Sequence, residues 1–438
     1  MMAMPVILSV LALSASAGVL SMQGVDRRIG DSTTYYVDPE LWGPDRLITW
    51  QDYATNDVYI AQLNPTTGDM IPANGRGIKV PIKAAPIFNG PTGYGSFNGP
   101  EFGRNANGLF VYFVCRDSRS VNQTGRFGPL VGGTPAFTQL TSASLISRSG
   151  VIPTTDPTLP VGAVLCTYLN NTNGTITWRF DNEPFADRPV PLADFGLKGV
   201  RWLPGQLKVS TNVLDSRGIR QAAIYDVLTS TTTIITNDND PKSDVFIFDC
   251  PEFGSLGMMC VVGTTQRQLA VYRQRSGFWE RVTTYEAPRF LLGGGATAQI
   301  FLPEPFVYQG QTHFVFAFGV VDVATLSPLG PAQVFVAKLG LSAPVRVGSR
   351  FPAARIDPEV VIMNDKAFLY YYTVSPPTGY PNVKPELHVI TDFLPLPSEA
   401  QLLTIMQEEE EEFAKESQSN TSAAPSTPVV APILRKNR

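Results

Sequence analysis

Ile356-Asp357-Pro358-Glu359-Val360-Val361-Ile362-Met363-Asn364-Asp365-Lys366-Ala367-Phe368-Leu369-Tyr370-Tyr371-Tyr372 reads as an acidic Pro-Glu corner, a short strand, a turn and an aromatic strand. The same unit recurs. Asp38-Pro39-Glu40-Leu41-Trp42 leads into Leu47-Ile48-Thr49-Trp50, and Gly99-Pro100-Glu101-Phe102 leads into Leu109 to Val114. Gly199-Val200-Arg201-Trp202 lacks the Pro-Glu but opens four strand-like runs in order. Cys250-Pro251-Glu252-Phe253 and Pro303-Glu304-Pro305-Phe306 head two further units. Starts near 38, 99, 200, 250, 303 and 357 leave intervals of 61, 101, 50, 53 and 54 residues. Four short strands with their turns fill such an interval, and a repeat of that kind is the blade of a β-propeller. The expected fold is all-β, a propeller of about six four-stranded blades over residues 35–395, with five and seven also compatible. The long interval holds either an insertion or a degenerate blade built on Ala163 to Leu169 and Thr175 to Phe180.

Composition supports many short strands. Charged residues are 16% of the 438, hydrophobic residues 43%, and Gly and Pro number 37 each, a turn-rich globular balance. The net charge of -4 offers no basic face to nucleic acid. Cys115, Cys166, Cys250 and Cys260 lack metal-ligand spacing and read as small buried hydrophobes. In an oxidising compartment Cys250 and Cys260 could bridge neighbouring strands. With His313 and His388 the only histidines, a multi-histidine metal site is excluded.

The ends differ from the repeat. Met4 to Leu13 is a short apolar run followed by Ala15-Ser16-Ala17, the pattern of a secretory signal peptide over residues 1–17. The expected location is therefore secreted or periplasmic, with no transmembrane segment in the mature chain. Ser398 followed by Gln401 is a capping-box signature, so an acidic helix is expected over 398–416, with a disordered tail over 417–438.

In a propeller the first strand of each blade lines the channel, so repeated corner residues meet in space though distant in sequence. Here that corner is acidic: Asp38, Glu40, Glu101, Glu252, Glu304, Asp357 and Glu359. Such a ring would raise its members' pKa values and attract cations or hydroxyl-rich ligands. Glu40, Trp42, Glu101, Glu252, Asp357 and Glu359 are the ligand-binding candidates, and the expected partner is a glycan, a peptide or protein, or a cation at the channel face. The competing reading makes Pro-Glu a structural hallmark, each Glu bonding backbone amides of the next blade.

The Asp-Pro-Glu corner followed by an aromatic strand, in Asp38-Pro39-Glu40 and in Asp357-Pro358-Glu359 through Tyr372, resembles the five-bladed glycoside hydrolases of the arabinanase and β-xylosidase type. That resemblance implies Asp38 as general base, and Glu304 or Glu286 (in Glu286-Ala287-Pro288) as general acid, flanking a glycosidic bond. The Trp42-Gly43-Pro44-Asp45-Arg46-Leu47-Ile48 turn and strand is similar to the units of TolB-type propellers, which imply no catalysis.

Asn237-Asp238-Asn239-Asp240-Pro241-Lys242-Ser243-Asp244 gathers oxygen donors that a hard cation such as calcium takes, with Asp238, Asp240 and Asp244 as ligand candidates. The same residues also suit a plain inter-blade turn. Gly93 to Gly99 lacks the spacing of a dinucleotide loop, and neither a Walker loop nor a Gly-x-Ser-x-Gly elbow is present.

Overall fold

The computed structural model describes residues 24–72, 77–87, 98–142, 148–170, 173–183, 187–192, 200–286, 298–321, 328–348, 354–374, 384–405, 407 and 411. These form seven consecutive antiparallel meanders, numbered here as blades I to VII. Blade I is Tyr36–Trp42, Leu47–Asp52, Val58–Leu63 and Met70–Ile71, with Ile78–Lys79 also paired to its third strand. Blade II is Glu101–Asn105, Gly108–Arg116, Asn122–Gly128 and Ala136–Gln139. Blade III is Arg148–Pro153, Ala163–Asn170, Asn173–Phe180 and Arg188–Pro189. Blade IV is Arg201–Trp202, Lys208–Leu214, Arg220–Asp226 and Thr231–Ile234; blade V is Lys242–Cys250, Ser255–Val262, Gln268–Arg275 and Phe278–Glu286. Blade VI is Ala298–Tyr308, Gln311–Val321, Pro328–Lys338 and Val345–Val347. Blade VII is Ala354–Met363, Lys366–Val374, Glu386–Thr391 and, from the other end of the chain, Val25–Ile29. Blades VI and VII are joined into one sheet by a single parallel pairing of Ala332 with Ala354.

The count is seven because the 101-residue interval holds blade III, on the two runs that the sequence offered for a degenerate blade. The last blade borrows its fourth strand from residues before 35: Val25 pairs with Thr391 and Ile29 with Leu387.

Alternation along the strands sends apolar side chains to both faces of each sheet, where they meet the next blade. Each consecutive pair shares one apolar cluster. Phe102, Val111 and Phe113 pack on Val58 and Ile60 between blades I and II, and Phe110 and Tyr112 on Val151 and Val164 between II and III. Trp178 meets Val209 and Tyr225 between III and IV, and Ala222 meets Met258 and Cys260 between IV and V. Met259 and Val271 pack on Phe314 and Phe316, and Val334 and Val336 on Leu369 and Tyr371. Trp50 and Leu63 of blade I then pack on Tyr370 and Val389 of blade VII, which closes the circle.

All four cysteines are buried free thiols. Cys250 packs between blades V and VI and Cys260 between IV and V, so they lie on opposite faces of blade V and are not strand partners. His313 stacks on Phe306, and His388 stacks on Tyr371 while its Nδ1 lies 3.2 Å from the Asp26 carboxylate.

Residues 399–405 are helical. The Ser398 N–H donates to Gln401 Oε1 at 2.9 Å, Leu402 N–H donates to the Ser398 carbonyl, and Leu402 is buried against the propeller. Gln401 thus reaches back to the N-cap amide, one of the two links of the capping box read from the sequence, and the Ser398 hydroxyl donates to the same Gln401 oxygen. No helix among the described residues is long and apolar enough to cross a membrane. Residues 1–17 and 417–438 lie outside the described residues.

Candidate functional site: a carboxylate ring on the first strands

The first strands of blades I, V, VI and VII share one irregularity. Pairing with the second strand slips between Val37 and Glu40, Ser243 and Phe246, Phe301 and Glu304, and Ile356 and Glu359. Each slip is a bulge two residues long, and its first member is left-handed: Asp38 (φ 52°), Asp244 (φ 48°), Leu302 (φ 51°) and Asp357 (φ 59°). Asp tolerates that backbone better than most residues, which gives Asp a local reason to precede Pro at the corner. The bulge re-aims the strand, and pairing resumes at Glu40, Phe246, Glu304 and Glu359. Glu101 follows Pro100, and Arg201 follows Val200, at the matching place in blades II and IV.

Six carboxyl groups from blades I, II, VI and VII therefore converge: Asp38, Glu40, Glu101, Glu304, Asp357 and Glu359. Burial raises the pKa of every one of them. For Glu40, Asp357 and Glu359, mutual repulsion adds to burial and lifts them well above the usual range. Glu101 is pushed up to about 8 by burial and by Asp38, although Asn98 Nδ2 donates to Glu101 Oε1 at 2.7 Å. Asp38 and Glu304 are also raised by burial, less far, because each gains a hydrogen bond from a neighbouring carboxyl and the field of Arg201. Carboxyls this close resist ionising together, and Glu101, at about 8, keeps its proton at neutral pH. Arg201, stacked 4.6 Å over the Phe246 ring, is a cation whose field reaches Asp38, Glu101 and Glu304.

Not every predicted residue belongs. Glu252 lies in the Pro251–Phe253 turn after the first strand of blade V. Its Oε1 accepts from the Thr312 N–H and its Oε2 from the Thr312 hydroxyl, both at 2.6 Å. It is a tie to blade VI, the structural role offered for Pro-Glu corners. The true corner of blade V is Asp244-Val245, which the Cys250-Pro251-Glu252 triplet masked. Asp38 does both jobs, accepting a hydrogen bond from Gly99 N–H of blade II. Trp42 packs on Phe102 and donates to Asp45 Oδ2 at 3.0 Å, between blades I and II rather than in the ring. Glu286 ends an outermost strand and is exposed.

The Asn237–Asp244 oxygens already face cations of the protein. Lys242 Nζ donates to Asp238, Arg281 donates to Asp238 at 2.9 Å and to Asp240 at 2.8 Å, and Arg217 donates to Asn237, Asn239 and the Asp238 carbonyl. Asp244 sits apart, buried in the first strand of blade V.

Arg201 and Phe246 were missed by sequence reasoning. The signal was there: Gly199-Val200-Arg201-Trp202 matches Gly99-Pro100-Glu101-Phe102 position for position. A second missed pattern is structural. Asp117-Ser118-Arg119 with Gln123 and Asp215-Ser216-Arg217 with Gln221 build the same hairpin turn in blades II and IV.

No protein-family model matches the chain, and no curated protein matches it in sequence. Among solved structures it is similar to a sialidase of Trypanosoma rangeli, at 12% identity and TM-score 0.37, over 82% of this chain and 61% of that one. It is also similar to a protein described as a TolB from Agrobacterium tumefaciens, at 13% and 0.35, over 61% of this chain and 90% of that one. A third likeness is to a chain of a mitotic checkpoint complex, at 12% and 0.42, over 86% and 98%. The chain thus spans about three fifths of the sialidase's length. The propeller assignment rests on the strand order and the closed circle of inter-blade clusters.

Proposed function

We propose that the protein is a binding module that holds its ligand at the carboxylate ring. One observation carries this reading: six carboxyls from four blades face one another, the field of Arg201 reaches three of them, and burial raises all six. Keeping them together costs folding free energy, and a ligand that supplies positive charge or hydroxyl donors recovers it. A cation, a basic peptide or a glycan has that chemistry. The reading includes export, on the apolar run and Ala15-Ser16-Ala17 pattern near the N-terminus. The test is a binding panel of cations, Lys- and Arg-containing peptides and glycans against purified residues 18–438. Binding should fall on Glu304→Gln and Glu359→Gln and stay unchanged on Glu286→Gln. Binding indifferent to both ring substitutions would overturn it.

A second reading has one observation in its favour. Asp38 and Glu304, the base and acid implied by the glycoside-hydrolase resemblance, do lie in the same ring, and Glu304 feels the charge of Asp38. Two neighbouring carboxyls, one to give a proton and one to take it, are what such enzymes use. Reducing-sugar release across a polysaccharide panel, abolished by Asp38→Asn and Glu304→Gln, would establish it; the binding-module reading expects no release.

A further inference from the structure

We propose that Asp38, Glu40 and Asp357 form a site for a hard divalent cation of the calcium class, which fastens the last blade of the propeller to the first. The inference rests on reading the ring as a binding site and names its ligand. One carboxylate oxygen from each of the three residues lies within 4.8 Å of the others. No two of these oxygens are farther apart than twice the calcium–oxygen distance of about 2.4 Å, the widest separation two ligands of one such ion can have. An all-oxygen donor set selects hard cations over zinc or copper.

A second observation is independent of the clustering. Asp357 is 8% exposed, and its Oδ2 is buried with no hydrogen-bond partner. A buried carboxylate oxygen without a donor is costly and calls for an explanation. The neighbour its carboxyl group does meet is Asp38, another carboxyl. Arg201 lowers the cost of charge on Asp38, Glu101 and Glu304, whereas the leading influences on Glu40 and Asp357 are burial and neighbouring carboxyls.

The placement gives that cation a task. Asp38 and Glu40 belong to the first blade and Asp357 to the last, and both Asp residues sit on left-handed bulges that hold their carboxyls at the seam. A cation there would tie together strands separated by more than 300 residues of chain.

The test is isothermal titration of chelator-treated residues 18–438 with calcium chloride alone and magnesium chloride alone, with thermal melting beside it. The expected result is one calcium site, a melting temperature that rises with calcium, and magnesium binding more weakly. Asp357→Asn and Glu40→Gln should each weaken calcium binding by about tenfold or more, while Asp238→Asn leaves it unchanged. Circular dichroism checks that each variant folds. Absence of calcium uptake by the wild-type chain would overturn the proposal, as would uptake abolished by Asp238→Asn but not by Asp357→Asn or Glu40→Gln. Running the ligand panel with calcium and with chelator separates the two readings. Panel binding without calcium uptake overturns the cation site alone. Calcium uptake without binding of any peptide or glycan supports the cation site and removes any larger ligand.

Discussion

Glu101 shows what convergence does to a single side chain. An exposed glutamate titrates near about 4.3, whereas burial and the neighbouring Asp38 bring this one to about 8. Its folded value lies above its unfolded one, so the folded state keeps a proton that the unfolded chain releases. The stability this group lends is whole below about pH 4 and is lost as pH rises through about 8. In chelator, Glu101→Gln should therefore melt higher than wild type at pH 8, by at least about 1 kcal/mol, and nearly alike at pH 4. Equal melting of the two proteins at pH 8 would mean that Glu101 does not sit among other carboxyls. Residue chemistry also separates look-alikes: Glu252 shares the Pro-Glu signature with Glu101, yet the N–H and hydroxyl of Thr312 hold its pKa down against burial.

At the scale of the element, the hairpin turns of blades II and IV repeat one wiring. Asp215 Oδ1 accepts from the N–H groups of Arg217 and Ile219 at 2.8 and 3.0 Å, and Oδ2 accepts from Arg217 and Gln221. Gln221 in turn accepts from Thr236, whose hydroxyl accepts the Ala222 N–H. Asp117, Arg119, Gln123 and Thr141 reproduce every one of these links. Partial burial works upward on Asp215, but the two amides and Arg217 outweigh it and hold the carboxyl at about 2. Asp215→Ala should speed hydrogen exchange at the Arg217 and Ile219 amides and leave blades VI and VII unaffected. Unchanged exchange there would show that the turn holds without its carboxylate. This wiring was readable as Asp-Ser-Arg followed by Gln, at the same spacing in both copies. The strand patterns and the Pro-Glu corner drew the reading instead. The first strand of blade III, Arg148–Pro153, carries neither carboxyl nor Pro at its corner, so local pattern left it uncounted.

Across the whole molecule, closure depends on residues that no local window relates. Asp26 of the N-terminal strand accepts from Arg355 at 3.0 Å and from Tyr371 at 2.7 Å, and Arg355 is 1% exposed. Burial pushes Asp26 up, but His388, Arg355 and Tyr371 together bring it below its usual value. A depressed carboxyl contributes stability that is present above about pH 4 and lost as pH falls further. Asp26→Asn leaves a buried guanidinium without its counter-charge and should cost about 3 kcal/mol at pH 7, with the deficit shrinking in acid. A deficit independent of pH would place the loss in packing instead. The repeat, the acidic corner and the helix cap were legible because each is written in neighbouring residues. The closing strand was not, since Val25 pairs with Thr391; of the seven acidic corner residues read from the sequence six meet in the ring, and Glu252, whose carboxylate is held by Thr312, does not.

The measurement that bears most directly on the ring is a carbon-detected NMR titration of the side-chain carboxyls, in metal-free protein labelled at Asp and Glu. Convergence predicts at least one Glu carboxyl titrating near about pH 8, the signal lost in Glu101→Gln, with several others displaced upward. A titration in which every glutamate carboxyl moves between about pH 4 and 5 would show that these side chains do not meet, and the candidate site would go with it.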